Sequence, residues 1–326
     1  MAILVAADFS AAEWADWWPQ LQAALPGEQL LREPVPGGSD GRAAIDIALV
    51  ANPPPGALRE LPALRLVQSL WAGVDRLLAD PTLPAGVPLA RMVDPAMNQA
   101  MAQTALWAVL GMHRGFIGGS LAGAFSYAAQ QARAQWCAHP QRRAHEVHVA
   151  VLGLGQMGRA TAQRLAANGY RVSGWSTGVG VGAAALDGVT VHVGSAALAP
   201  LLGRAQIVVN LLPLTAATRG LLQRATFAAM PHGACLVNLA RGAHVVEADL
   251  LDALASGQIA HAVLDVFATE PLPAGHPFWH HPGVTVLPHI AAQTDPRSAA
   301  AVVAANVRAL RLAQPLSHLV DRARGY

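Results

Sequence analysis

Three side chains in the second half of this 326-residue chain have the types and placement for acid–base chemistry: Arg241, Glu270 and His289. Each follows an apolar, β-rich run, Gly233 to Leu239, Ile259 to Phe267 and Val284 to Leu287 respectively. An imidazole is the natural proton carrier near neutral pH. A carboxylate beside it favours the protonated form, which suits donation to a carbonyl oxygen. A guanidinium binds a carboxylate through two parallel hydrogen bonds and polarises a neighbouring carbonyl. Upstream, Val147 to Gly158 reads V-H-V-A-V-L-G-L-G-Q-M-G, with Gly153, Gly155 and Gly158 at G-x-G-x-x-G spacing. A strand pattern precedes these glycines and a helical pattern, Met157 to Asn168, follows, the context in which the motif binds a dinucleotide. The first glycine permits the tight turn, the second admits a pyrophosphate, and the third lets helix and strand pack closely. Free N–H groups at the helix start then face the phosphates. With a dihydronicotinamide, the three side chains would reduce a 2-keto acid by hydride addition at carbon and protonation at oxygen. Plainer readings exist: a surface salt bridge for Arg241, a turn residue for Glu270, a loop histidine for His289. Their joint occurrence at strand ends favours the chemical one.

The elements that must position these residues alternate. After the glycine motif, Arg171 to Trp175, Gln206 to Leu212 and the three runs named above read as strands separated by helices. That alternation predicts a doubly wound parallel sheet of Rossmann type, whose ligands lie beyond the carboxyl ends of the strands. Pro213 and Thr218 follow the third strand, and Ala240 precedes Arg241. The second strand ends Trp175-Ser176-Thr177, with Ser176 where an acidic residue would bind the adenosine ribose of NAD. No carboxylate repels a 2′-phosphate there and no arginine attracts one, so NADP is favoured over NAD by a narrow margin.

Met1 to about Asp94 is a smaller α/β unit. Strands are expected at Ile3 to Ala7, Ala44 to Val50, Leu64 to Leu70 and Pro88 to Met92, with a helix from Ala11 to Leu25. The turn Ser69 to Asp75 leaves a buried strand through glycine, and its backbone N–H groups can hold a carboxylate. Met97 to Phe116 is a long helix, apolar over most of its circumference and so buried on more than one side. Gly118 to Gly123 reads as loop, Gln130 to Glu146 as polar connection, and Asp295 to Gln314 as a closing helix.

Composition narrows the classes. The hydrophobic fraction is 53%, but charged residues, glutamine or proline break every apolar run before it can span a bilayer. The first ten residues lack a basic region and reach Asp8 too early for a signal peptide. Cys137 and Cys235 are too few for a disulfide framework or a cysteine-rich metal site, which fits a reducing cytoplasm. No metal is expected. A net charge of +2 without a basic block argues against nucleic acid. The chain has no lysine, which excludes Schiff-base chemistry and the Walker-A lysine.

The stretches V-L-G-L-G-Q-M-G, N-L-L-P-L-T-A-A-T-R-G-L-L, L-V-N-L-A-R-G-A-H-V-V-E-A-D-L-L-D-A-L, A-V-L-D-V-F-A-T-E-P-L-P and L-P-H-I-A-A-Q-T cover nearly all of Val147 to Thr294. In them the chain resembles the D-isomer-specific 2-hydroxyacid dehydrogenases, and within these the glyoxylate/hydroxypyruvate reductases of the A type. A-G-V-D at Ala72, P-F-W-H-H-P from Pro277 and the final V-D-R-A-R-G-Y carry the closer match. The resemblance implies His289 as general acid and base, Glu270 as its partner and Arg241 as the substrate-carboxylate residue. It implies backbone contact to substrate around Trp71, Ala72 and Gly73, and nicotinamide contact by Asp265. Cofactor contacts are expected from Gly153, Gly155, Gln156, Met157, Gly158, Trp175, Ser176, Thr177, Leu212, Pro213, Thr218 and Ala240. The implied fold has a flavodoxin-like substrate domain, 1–95 with 292–326, and a dinucleotide domain, 96–291, through which two copies form a homodimer. Two positions depart from the reductases: Thr177 stands where an arginine is usual, and Trp71 where a small residue is usual. An NAD(H)-sensing protein on the same fold and an enzyme like 3-phosphoglycerate dehydrogenase are the alternatives. The complete Arg–Glu–His set weighs against the first, and the lack of a regulatory domain against the second.

Overall fold

The computed structural model describes residues 1–33, 35, 38–118, 126–136, 140–178 and 186–326. The chain divides into two compact units, Met1–Ala96 with Thr294–Tyr326, and Met97–Gln293. In chain order the first elements are β1 (Ala2–Ala7), α1 (Ala11–Ala24), β2 (Gln29–Arg32), α2 (Gly38–Ala43), β3 (Ile45–Ala51), β4 (Leu66–Ser69), α3 (Asp75–Leu78) and β5 (Leu89–Ala90). Next come α4 (Pro95–Arg114), α5 (Tyr127–Ala132), β6 (His148–Leu152), α6 (Gln156–Ala167), β7 (Arg171–Ser176) and β8 (Val189–Val193). The rest are α7 (Leu198–Leu202), β9 (Ile207–Asn210), α8 (Arg224–Ala228), β10 (Ala234–Asn238), α9 (Glu247–Ala255), β11 (Ile259–Leu264), β12 (Val284–Val286) and α10 (Pro296–Arg311).

The first unit is a parallel five-stranded sheet in the order β2-β1-β3-β4-β5, the flavodoxin-like order that reverses between β1 and β3. All seven residues of β3 are buried, as a parallel strand covered on both faces requires. Among them is Asp46, whose carboxyl must be paired to be buried. Arg311, in the last turn of α10, pairs with it and also donates to Glu28 at 2.8 Å. The pair pins the closing helix to the sheet.

The second unit is a parallel seven-stranded sheet in the order β12-β11-β10-β9-β6-β7-β8. Its strand order reverses between β6 and β9, so the glycine turn at the end of β6 stands at the switch point where such sheets take their ligands. Successive residues of each strand serve opposite layers. Val149 and Val151 pack with Val172, Val209 and Val237, while Ala150 and Leu152 pack with Trp175, Val208 and Leu236. Cys235 is buried in this sheet, and burial pushes its thiol up to about 12, so it packs as a small apolar group. Cys137 lies outside the described residues. Among the described residues no helix is long and apolar enough to cross a membrane.

Two expectations are corrected. The strands β2 and β8 depart from the expected pattern; both are edge strands without a buried residue and lack a long apolar run. The connection before β6 is not featureless, since it contains α5 and a 3-10 turn at Ala144–Glu146. Within the second unit α4 buries Met97, Met101, Ala102, Ala105, Ala108, Val109 and Met112, while Trp107 and Leu110 are exposed. Of the expected loop Gly118 to Gly123, all but Gly118 lies outside the described residues.

Candidate active site

In the second unit Arg241, Glu270 and His289 all stand beyond the carboxyl edge of the sheet. His289 follows β12, and its Nδ1 is 2.7 Å from Glu270 Oε2. The other Glu270 oxygen accepts the Phe267 N–H at 2.9 Å, so the carboxylate cannot swing away without losing a backbone bond. Burial pushes the Glu270 carboxyl up, but the His289 hydrogen bond, the Phe267 N–H and the charges of His289 and Arg241 outweigh it and hold it below the usual range. Arg241 opens the turn after β10 and donates from Nη1 to Ala240 O at 2.7 Å. Nδ1 of His289 faces the carboxylate, which leaves Nε2 to exchange a proton with a bound molecule.

His289 has a positive φ of 58°, a conformation that costs a side-chain-bearing residue energy and persists only where its surroundings enforce it. The enforcement comes from Asp265. Its carbonyl takes the His289 N–H at 2.9 Å, and its carboxylate takes those of Ile290 at 2.8 Å and Ala291 at 2.9 Å. The resemblance implies a nicotinamide contact for Asp265. In the structure its buried carboxylate is occupied by the backbone that carries His289. Burial raises its pKa against the lowering effect of those two N–H groups.

The glycine turn fits a dinucleotide on its own packing. A Cβ on Gly153, where φ is 96°, would lie 2.6 Å from Leu211 O, and one on Gly158 would overlap the Gly153 carbonyl oxygen. Those two glycines are required by the protein's own atoms. Gly155 is different: a Cβ there meets nothing within 4 Å. Its missing side chain serves no internal contact, but it clears the approach to the α6 N-terminus, which no side chain caps. Gln156 is exposed and Met157 half-buried beside this opening. A pyrophosphate accepting the open N–H groups accounts for both features.

Other expected cofactor residues divide. Thr177 is exposed at the end of β7, and Ser176 is buried with its hydroxyl accepting the Gly178 N–H at 3.3 Å. Trp175 turns its indole into the core, where Nε1 donates to Gly194 O at 2.9 Å, so its side chain is committed to packing. Leu212 and Ala240 are buried at the ends of β9 and β10. Thr218 closes its own turn, donating to Pro213 O at 2.7 Å and accepting from Thr215 N at 2.9 Å.

Sequence reasoning passed over three buried polar residues here. Asn210 and Asn238 end β9 and β10 in register, and Asn210 Nδ2 donates to Asn238 Oδ1 at 2.9 Å. His244 lies behind Arg241 without exposed surface. Only the strand order brings them together.

In the first unit, the turn after β4 is shaped by Ser69, whose hydroxyl accepts the Trp71 N–H at 3.0 Å and donates to Trp71 O at 2.9 Å. Among the described residues none accepts from the Ala72 or Gly73 N–H groups. The Trp71 ring packs edge-on against Phe9 and Trp17, each with centroids 5.9 Å away. Bulk at position 71 is thereby absorbed by an aromatic cluster within the unit.

A family model of the NAD-binding domain of D-isomer-specific 2-hydroxyacid dehydrogenases matches residues 119–291. Glyoxylate/hydroxypyruvate reductase A of Serratia proteamaculans is 42% identical over 316 residues, 95% of this chain and 96% of the relative. The same-named protein of Yersinia enterocolitica is 39% identical over 286 residues, 86% and 88% of the two chains. Among solved structures, a D-isomer-specific 2-hydroxyacid dehydrogenase from Xanthobacter autotrophicus in complex with NADPH superposes with a TM-score of 0.89 at 40% identity, over 100% of this chain and 99% of that one. An NADPH-dependent glyoxylate/hydroxypyruvate reductase from Sinorhizobium meliloti, in complex with NADP and sulfate, gives 0.88 at 33% identity over the same shares.

Proposed function

The chain belongs to the D-isomer-specific 2-hydroxyacid dehydrogenases, and we propose that it reduces a small 2-keto acid of the glyoxylate or hydroxypyruvate type to the 2-hydroxy acid. The carrying observation is the 2.7 Å contact of His289 Nδ1 with Glu270, under the charge of Arg241, on the sheet edge that bears the glycine turn.

Gly153, Gly155, Gln156, Met157 and Gly158 hold the pyrophosphate, while Ser176 and Thr177 face the adenosine ribose. Leu212, Pro213 and Ala240 border the rest of the cofactor, and Thr218 shapes their turn. Bound NADPH supplies the hydride. Support for NADPH over NADH comes from the strand end without a carboxylate and from relatives that hold NADPH or NADP. Arg241 takes the substrate carboxylate in two parallel bonds and draws electron density toward the keto oxygen. His289 donates its Nε2 proton to that oxygen, and in the reverse direction takes it back. Glu270 accepts from Nδ1 and keeps the ring in this orientation. Within the first unit, the open N–H groups of Ala72 and Gly73 are donors suited to a carboxylate. Asp265 acts through the backbone of His289.

The reading extends to organisation. Residues 1–95 and 292–326 form the substrate domain, and 96–291 the dinucleotide domain. Two copies pair through the latter, which carries the exposed apolar side chains Trp107, Leu110, Phe116 and Tyr127. The unpaired, buried Cys235 supports a reducing, cytoplasmic location.

A panel of 2-keto acids, followed by absorbance with NADPH and NADH in parallel, tests the reading. Turnover of glyoxylate or hydroxypyruvate with NADPH is the expected result. NADPH binding without turnover of any keto acid would overturn it.

A further inference from the structure

The turns after β9 and β10 are joined by buried polar side chains. Asn210 Oδ1 accepts the Leu212 N–H and Asn238 Oδ1 the Ala240 N–H, both at 3.3 Å, while Asn238 Nδ2 donates to Arg241 O at 3.0 Å. His244 stands between the two turns, with Nδ1 3.1 Å from Arg241 O and Nε2 3.3 Å from Pro213 O. Arg241 O also receives the His244 backbone N–H at 3.2 Å. Arg241 O therefore has donors without the ring. A neutral ring carries one N–H, so with the proton on Nε2 the ring donates to Pro213 O alone, and that reach is what it adds.

We propose that His244 is a positioning residue: through Nε2 it ties the turn carrying Pro213 to the turn carrying Arg241. The guanidinium that takes the substrate carboxylate is thereby held at one spacing from the turn that borders the cofactor. The inference rests on the reductase reading above. Pro213 O also accepts from Thr218 Oγ1 at 2.7 Å, so the ring's contribution there is the link between the two turns. Bidentate binding makes the spacing matter, because an ångström of misplacement costs about 10²-fold in rate.

Two substitutions in the full chain separate the tie from mere packing. In H244Q the amide nitrogen falls near the place of Nε2 and preserves the reach to Pro213 O. In H244N it falls near the place of Nδ1 and loses that reach. Keto-acid kcat and KM in H244Q should stay within about twofold of wild type, whereas H244N should lose about tenfold or more in kcat/KM. Deuterium exchange gives a readout independent of activity: the 211–222 segment should exchange faster in H244N than in H244Q or wild type. Equal behaviour of the two variants in both measurements would overturn the proposal. Nitrogen NMR of the wild-type imidazole reads the tie without any substitution, since an unprotonated Nε2 could not donate to Pro213 O and would also overturn it. If exchange separates the variants while the wild type reduces no keto acid, the tie stands and the reductase reading fails.

Discussion

Asp265 holds His289 in place by its backbone, taking its N–H on the Asp265 carbonyl and those of Ile290 and Ala291 on the carboxylate, all within 2.9 Å. His289 therefore stands on a segment whose left-handed turn is enforced by a neighbouring strand end. Asp265→Ala removes both carboxylate bonds and leaves His289 free to relax. The expected effect is a loss of roughly 10²-fold in kcat, the cost of an ångström of misplacement, with NADPH still bound in a fluorescence titration. Unchanged kcat would show that the segment keeps its shape without the carboxylate.

For the proton transfer, His289→Ala should lower kcat by about 10²-fold or more while leaving NADPH affinity within a fewfold. Glu270→Gln separates orientation from charge, since the amide can still meet the ring but carries no charge. The lowered pKa of Glu270 keeps it ionised through neutral pH, and its charge is lost only as the pH falls through that lowered value, below the usual carboxylate range. The glutamine variant has no such charge to lose, so the component of the wild-type acid limb due to Glu270 should be absent from its kcat/KM profile. Identical acid limbs in the two proteins would remove Glu270 from the pair.

Arg241→Ala should raise KM for the keto acid and reduce kcat as well, because the same charge binds and polarises. Arg241→Lys should recover part of the loss, since an ammonium keeps the charge but not the planar fork. Steady-state kinetics with glyoxylate measure both, and wild-type kcat/KM in either variant would contradict the role.

His261 gives the fold an acid limb of its own. Burial, with the charge of His281 adding to it, lowers its pKa from the ordinary 6.5 to about 4, while Nε2 bonds Thr285 Oγ1 at 2.8 Å. The unfolded chain thus binds a proton that the folded chain refuses. The resulting stability is complete above about pH 6.5 and is lost as the pH falls toward 4, amounting to roughly 3 kcal/mol over the window. Urea midpoints across that range should fall less steeply in His261→Gln. His113 and His148, also lowered by burial, share the limb in both proteins.

The strand ends were legible because β10, β11 and β12 are largely apolar and give way to polar residues. Arg241, Glu270 and His289 each sit past such an end. β8 was illegible because Val189-Thr-Val-His-Val193 is short and largely exposed at the sheet edge, Val191 and Val193 included, so no buried apolar run marks it. Asn210, Asn238 and His244 were illegible for another reason. Asparagine at a strand end is ordinary turn chemistry. Its pairing is decided by the placement of β9 beside β10, a property of the sheet that no local stretch encodes.

Cofactor choice is the most finely balanced feature of the site. On the proposed reading the adenosine ribose lies against Ser176 and Thr177, which carry hydroxyls and backbone N–H groups and no charge to repel a phosphate. Thr177 is exposed, while the Ser176 hydroxyl already accepts the Gly178 N–H. A neutral hydrogen bond contributes about 0.5–1.5 kcal/mol and a charge-assisted one about 1.5–3. Without a cation the preference for NADPH should be on the order of tenfold, since about 1.4 kcal/mol is a factor of ten. Thr177→Arg, at the exposed position, should raise it by about another tenfold through an ion pair with the 2′-phosphate. Ser176→Asp should place a carboxylate against that phosphate and reverse the preference toward NADH. Measuring kcat/KM for both cofactors in wild type and the two variants decides the matter. An unchanged ratio in Ser176→Asp would mean that the ribose does not lie against the end of β7.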